Sequence, residues 1–376
     1  MSQETSFSIL IDEGSINYSR KWLVILAKYL HDNTAVTDLL CLKELEDASA
    51  QNLAGIIMTE LESRNIPLDN CIAVMSDSAN VMRGEKGGVI AILKRSASHI
   101  LDVGGCCLHH VHNSTSQAVS CFEDGIEELF DDFFCYLRYS KASTAFANLQ
   151  ELMDVEPLKF IRHVPSRWLQ IQDVILRFIQ LHPTLIAFFE QLPSIEMKKD
   201  RVQRILNGLR RHDLMAYMHF LAFALKPLKE FELQFQSKKP VIHKLYGSMI
   251  ELLTNVINSF VTSKYVEKML STTELSDIPL KKQLSDDKLL IGDGAKKELR
   301  NDHITSRQRA TFFELVRIFY TELLKRLVHY MPVGRRLLKS MQFLDPQKRK
   351  DMQEDDVAYA AQCLMRTVDL STVKMQ

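Results

Sequence analysis

Two aspartates stand where an α/β chain could hold a catalytic metal. Asp12 closes an apolar run, SFSILIDE (6–13), with Glu13 beside it. Asp77 follows a second run, Cys71-Ile72-Ala73-Val74-Met75, after Ser76. If the two runs are strands lying side by side, both carboxylates meet at one sheet edge. Two carboxylates there can hold Mg2+ or Mn2+, hard cations that prefer oxygen ligands and keep several waters. A pair of such ions would activate a water and steady the leaving oxygen of a phosphoryl transfer. Asp12 and Asp77 are therefore the candidate catalytic and metal-binding residues. The plainer alternative is that acids at strand ends are solvated or cap a turn.

A second constellation is Gly105-Cys106-Cys107-Leu108-His109-His110-Val111-His112-Asn113. It contains two overlapping Cys-x-x-His pairs, Cys106/His109 and Cys107/His110. Zinc accepts such ligands, but a closed site needs four and no second clear pair lies nearby. The favoured expectation is a buried Cys with hydrogen-bonded His side chains. A third is Val164-Pro165-Ser166-Arg167-Trp168. Here Arg167 and Trp168 could stack on or touch a nucleic acid, although a Trp after a Pro is more often a packing anchor. Basic clusters follow: Lys198, Lys199, Arg201 and Arg204; Arg210 and Arg211; Lys238 and Lys239; Arg335, Arg336 and Lys339; Lys348, Arg349 and Lys350. Together they could meet a phosphate backbone. Singly each is a solvated face, and Asp200 and Asp213 interleave with them.

The elements that must position these residues read as an α/β part followed by an all-α part. Runs at 6–13, 22–26 and 35–42 show strand character and suggest an antiparallel meander. Ser49 to Ser63 carries Leu53, Ile56, Ile57 and Leu61 at helical spacing, with Ser49 as N-cap. A buried-type strand at 71–75 follows, then a Gly84/Gly87/Gly88 turn, a helix from Val89 to Lys94 and a fifth strand at 101–107. The order is β-β-β-α-β-α-β. From about residue 108 apolar residues recur at three- and four-residue spacing, as in Ile126, Leu129, Phe130, Phe133 and Leu137. Helix breaks are expected near Pro157, Pro165, Pro183, Pro193, Pro240, Pro279 and Pro332. The segment 271–303 reads as an exposed polar loop. The expected domains are an α/β core over 1–113 and a mainly helical domain over 114–376.

Composition narrows the class. The chain has 376 residues, 46% hydrophobic and 25% charged, with 13 Gly and 10 Pro. Collagen-like, low-complexity and wholly disordered chains are excluded. No stretch is apolar for about 20 residues, so no transmembrane helix and no membrane partner are expected. No secretory leader is expected, and seven Cys, several in apolar runs, suit reduced thiols inside a cell. The net charge is zero, with 47 Lys and Arg against 47 Asp and Glu. This balance hides an asymmetry: residues 1–140 hold 10 against 20, and the remainder 37 against 27. An acidic α/β part and a basic helical part imply different surfaces.

Taken together, ILIDEGS (9–15), SDSANVMRGEKGGV (76–89), GCCLHHVHN (105–113), PSRWLQ (165–170) and FLDP (343–346) resemble the hAT superfamily of DNA transposases. Their domesticated relatives in animals, among them BED zinc finger/hAT-like proteins, share these features. The resemblance covers nearly the whole chain in order and approximate spacing. It implies a ribonuclease-H-like core with a large helical insertion after the fifth strand. It also implies that Asp12 and Asp77 are the first two acids of a DDE triad, with Mg2+ or Mn2+ as cofactor. Cys106 and His109 match the family's C-x-x-H element, and Trp168 matches a tryptophan early in the insertion. These, with Arg167, are the residues the resemblance places near DNA.

The family's third acid is a Glu beyond the insertion, shortly before a Trp. No Trp follows Trp168 here. Neither the family's C-terminal dimerisation segment nor its N-terminal BED-type finger has a counterpart. The expectation is a core truncated before its last helix. Its function would be that of a catalytically inactive, transposase-derived nuclear protein, with the cytoplasm as a second location, acting through DNA or protein binding. DNA would meet the basic helical half, and self-association would follow from an uncovered sheet edge. One alternative is an active metal-dependent transposase or nuclease with Glu298 or Glu314 as third acid. The other is a pure protein-interaction module.

Overall fold

The computed structural model describes residues 5–16, 20–122, 125–162, 170–236, 240–262 and 280–364. Its contacts divide the chain into two units. One takes in the described residues of Met1–His110, Lys239–Met249 and Met331–Gln376; the other, those of Val111–Lys238 and Ile250–Tyr330.

The first unit is built on a five-stranded mixed sheet of order β3-β2-β1-β4-β5. Its strands are β1 (Phe7–Ile16), β2 (Arg20–His31), β3 (Thr34–Leu45), β4 (Cys71–Met75) and β5 (Leu101–Asp102). β1, β2 and β3 form the expected antiparallel meander, joined between β2 and β3 by Asp32 and Asn33 at positive φ. Two consecutive left-handed residues match the twist of a tight hairpin. β4 runs parallel to β1, and β5 parallel to β4. Alternation in β2 sets Leu23, Ile25 and Ala27 on a dry face, with Ile9 and Ile11 of β1 alongside. They share one core with Leu53, Ala54 and Ile57 of α1 (Ala50–Ser63) and with Val89 and Leu93 of α3 (Val89–Ser96). Between these helices lies the single turn α2 (Asn80–Arg83). Ser49 caps α1 as expected, its hydroxyl accepting from the Asn52 N–H at 3.4 Å.

β3 is an edge strand. Its register slips between Ile25, opposite Cys41, and Leu26, opposite Leu39, so Leu40 is an extra residue in a bulge. Arg64 donates to the Leu40 carbonyl at 2.6 Å. A bulge and a charged side chain on the free carbonyl both blunt an edge against pairing with another strand. Leu39 and Leu42 nevertheless remain about half exposed, at 55% and 56%.

The second unit is helical. It holds α5 (Ile126–Leu137), α6 (Ser140–Leu152), α7 (Ile171–Glu190), α8 (Ser194–Met197), α9 (Asp200–Leu209) and α10 (Leu214–Phe235). It also holds α12 (Asp293–Leu299) and α13 (Ser306–Tyr330). Two helices, α4 (Cys107–Val119) and α11 (Ile242–Phe260), carry residues of both units. The core of the helical unit is aromatic: Phe133 lies 5.3 to 5.6 Å, ring to ring, from Phe160, Phe178 and Phe189, and Phe220 meets Phe319 and Tyr320 edge-on.

Four expectations are corrected. β5 ends at Asp102 rather than 107, because Gly104 and Gly105 adopt φ of +96° and +86°, and the chain then turns into α4. No break occurs at Pro183, which lies inside α7; Phe178, Leu181, Leu185 and Phe189 are fully buried on either side. That burial outweighs a proline's cost of about 3 kcal/mol. The described part of 271–303 is not an exposed loop: Ile291, Ala295 and Leu299 follow at helical spacing and are buried. Finally, the expected domain of 114–376 is not one piece. The described residues from Met331 belong to the sheet unit, with α14 (Arg336–Ser340) and α15 (Glu354–Leu364). Arg335 pairs with Asp102 at 3.5 Å, and the Pro332 ring occupies the space where a Gly104 side chain would stand.

Candidate functional site

The parallel register of β1 and β4 sets the two aspartates level. Leu10 pairs with Met75; Asp12 and Asp77 each lie two residues further on. Neighbouring strands lie about 4.8 Å apart, so the two carboxylates share one end of the sheet. Asp12 is exposed, on the face opposite the buried Ile9 and Ile11. Asp77 also has the plainer role: its Oδ1 accepts from the Ala79 N–H at 3.2 Å and fixes the turn into α2. Glu13 joins them. Burial raises its carboxyl above the ordinary range; Lys21 opposes this, and the negative charges of Asp77 and Asp12 add to it.

Cys106 and His109 arrive at the same place. The Cys106 N–H donates to the Ser76 carbonyl at 3.0 Å, which ties the start of α4 to the end of β4. Burial alone would raise the Cys106 thiol. Hydrogen bonds from the His109 ring and from the backbone N–H groups of His109 and Leu108 bring it below its ordinary value. His109 is raised, first by its bond to the Cys106 side chain, against burial, and further by the negative charge of Cys106, Asp12 and Asp77. Cys107 is different: burial pushes its thiol up to about 12. The two overlapping Cys-x-x-His pairs therefore part company, one in the acidic cluster and one in the core.

His110 is the clamp that composition did not reveal. It is 3% exposed. Its Nε2 lies 2.8 Å from the Gly104 carbonyl and its Nδ1 2.9 Å from the Ser78 hydroxyl. A carbonyl only accepts, so Nε2 carries a proton; in the neutral ring Nδ1 accepts from Ser78. Burial lowers the His110 pKa, opposed by the Gly104 carbonyl and assisted by the charges of Arg83 and His109. The ring thus fastens the loop after Asp77 to the loop after β5. Beside it Arg83 holds Asp102 through two bonds, at 2.8 and 2.9 Å. Burial would raise the Asp102 carboxyl, but the Gly104 N–H and Arg83 hold it below its ordinary value.

Of the residues singled out from sequence, Asp12, Asp77, Cys106 and His109 are brought together. Arg167 and Trp168 lie outside the described residues. Glu298 stands on α12 and Glu314 on α13, both in the helical unit. Asp12 and Asp77 offer the hard oxygen donors that Mg2+ or Mn2+ prefers, with water left to complete the shell. Among the described residues no group of three His, Cys, Asp or Glu is placed to hold an ion.

Half of the described residues of the basic clusters pair with acids of the same chain. Lys199 pairs with Glu196 at 2.7 Å. Arg201 and Arg204 both bind Asp132, at 3.1 and 2.7 Å. Arg211 pairs with Asp213, Arg335 with Asp102, and Arg336 with Asp356. Lys238 and Lys239 lie outside the described residues. No helix among the described residues is long and apolar enough to cross a membrane. No family model matches the chain.

Proposed function

We propose that this chain derives from a hAT-type DNA transposase, that its sheet unit is a ribonuclease-H-like core, and that it acts in the nucleus by binding proteins without cutting DNA. The observation that carries the reading is the level placement of Asp12 and Asp77 at the ends of β1 and β4. A sheet of order β3-β2-β1-β4-β5, with the first three strands antiparallel, gives that placement its meaning. Two aspartates supply two of the three acids of a DDE-type site, which leaves a two-metal site without its full set of fixed carboxylates. The pairing of Arg201, Arg204, Arg211, Arg335 and Arg336 with internal acids favours protein partners over a phosphate backbone.

A second reading, metal-dependent DNA cleavage, is favoured by the same aspartates. Mg2+ or Mn2+ held by Asp12 and Asp77 would supply a water nucleophile at neutral pH. The two readings separate in a plasmid-nicking assay with Mg2+ or Mn2+. The first predicts no nicking above the buffer control. Nicking by the wild-type chain that Asp77→Asn abolishes would overturn it and establish the second.

A further inference from the structure

The two most exposed of the large apolar side chains among the described residues both belong to the helical unit. Leu152, at the end of α6, is 83% exposed, and Ile195, on α8, is 76% exposed. Leu152 lines a groove of about 680 Å3, and Ile195 lies in sequence between two other lining residues, Pro193 and Glu196. α6 explains the groove. One face of this helix buries Phe146 and Gln150. A second stripe, Ala142, Ala145, Leu149 and Leu152, spaced by three and four residues, lines the groove instead. Tyr136 and Phe188 line it from α5 and α7, and Val202 from α9. An amphipathic helix normally has one apolar stripe; α6 has two and covers only one.

The lining also has a sign. Lys141, Lys199 and Arg201 line the groove with one carboxylate, Glu196; Arg201 is held by Asp132, so Lys141 is the cation left to face a visitor. Glu196 is already bonded by Lys199 at 2.7 Å and approached by the Tyr136 hydroxyl at 3.3 Å, so it offers little to a basic visitor. A 13-residue helix is about 20 Å long, which matches a partner helix of three to four turns. Small residues at Ala142 and Ala145 admit a close backbone approach, and Leu149 and Leu152 supply the apolar contact.

We propose that this groove docks an acidic amphipathic helix of a protein partner. The apolar side chains of that helix, at i, i+4 and i+7, would cover the α6 stripe, and a flanking carboxylate would meet Lys141. This mode, a helix laid into an apolar groove, needs only a rigid trough and a matching rim. The inference rests on the protein-binding reading for the existence of a partner, and adds its place and chemistry.

The probe is a fluorescein-labelled peptide of Leu and Glu, about 14 residues long, patterned as an amphipathic helix. It is titrated with the full chain and followed by fluorescence anisotropy. Binding is expected to weaken at least about tenfold when Lys replaces Glu throughout the peptide. Ala145→Arg, at an exposed helix position, is expected to weaken it about tenfold or more by filling the trough, and Lys141→Glu about threefold. Far-ultraviolet circular dichroism checks that each variant is folded, and Asn148→Arg replaces Ala145→Arg if that chain is not. Equal affinity for the Glu and Lys peptides, or affinity untouched by both arginine variants, overturns the proposal. So does a dimer of the chain in sedimentation velocity that Ala145→Arg dissolves, since a second copy then occupies the groove. Failure of the peptide with no DNA nicking removes the groove alone and leaves the protein-binding reading in place.

Discussion

Asp132 in the helical unit and Asp12 in the sheet unit carry the same side chain into opposite surroundings. Asp132 is 7% exposed, and the guanidinium groups of Arg201 and Arg204 converge on its two oxygens. Asp12 is exposed and acts on its neighbours as an unneutralised charge: it raises Glu13 and His109 together with Asp77. Among the described residues no Lys or Arg forms an ion pair with Asp12 or Asp77. In the helical unit, charge has been brought inside with its compensation and serves the fold. At the end of β1 and β4, like charges are held close, offset only in part by Lys21 and His109. That is the arrangement a cation or a partner would complete, and it costs stability while it waits.

The comparison can be broken by mutation, starting where the effect is largest. Replacing both arginines, Arg201→Met with Arg204→Met, leaves Asp132 buried and unpaired; urea denaturation should show a clearly lower midpoint than the wild type. A variant as stable as the wild type would mean that the pairs are ornamental. Next comes Asp102→Asn, which removes the charge from a pair whose side chains are each 17% exposed. Its expected cost is about 2 kcal/mol, read in the same way.

A third test uses acid. His110 is held below its ordinary pKa, so the unfolded chain takes up its proton first. The stability that His110 contributes is complete above pH about 6.5 and is lost as pH falls below that value. His109 has the opposite sign: its pKa is raised, so its contribution is present below pH about 6.5 and lost as pH rises through its folded value. Melting temperature measured from pH 8 to 5 should therefore fall more steeply in His109→Gln than in the wild type. Parallel curves would contradict the assignment. The smallest effect is expected at the sheet end. Asp12→Asn should change stability by no more than about 0.5 kcal/mol, and toward greater stability because it relieves like-charge repulsion. A large loss would show that Asp12 is a structural residue after all.

The comparison also separates what the sequence discloses from what it hides. β4 is found at Cys71–Met75, and α1 with its Ser49 cap lies where apolar spacing and one hydroxyl place them, because those signals are local. The meeting of Asp12 with Asp77 follows from strand order, which the β-β-β-α-β pattern suggests. Ser78 with His110, and Asp132 with Arg201 and Arg204, carry no such signal; they are 32, 69 and 72 residues apart and meet only through tertiary packing. The basic clusters therefore look in sequence like a nucleic-acid surface. Nothing local marks Arg204, on α9, as the partner of an aspartate on α5, with three helices between them. At Pro183 the local rule is legible and the packing of Phe178 and Phe189 overrides it. In 280–303 the helical spacing of Ile291, Ala295 and Leu299 was there to be read, beneath polar neighbours that suggested a loop.

The proposal that the chain binds proteins rather than a phosphate backbone, because arginines of the basic clusters pair with internal acids, is tested most directly by the salt dependence of DNA binding. A fluorescein-labelled duplex is titrated with the full chain from 50 to 200 mM salt. The account predicts an affinity no tighter than about 10 µM near physiological salt, and a slope of log K against log salt no steeper than about −2. Submicromolar binding with a slope of about −5 or steeper would show several phosphates neutralised at once, and would contradict it.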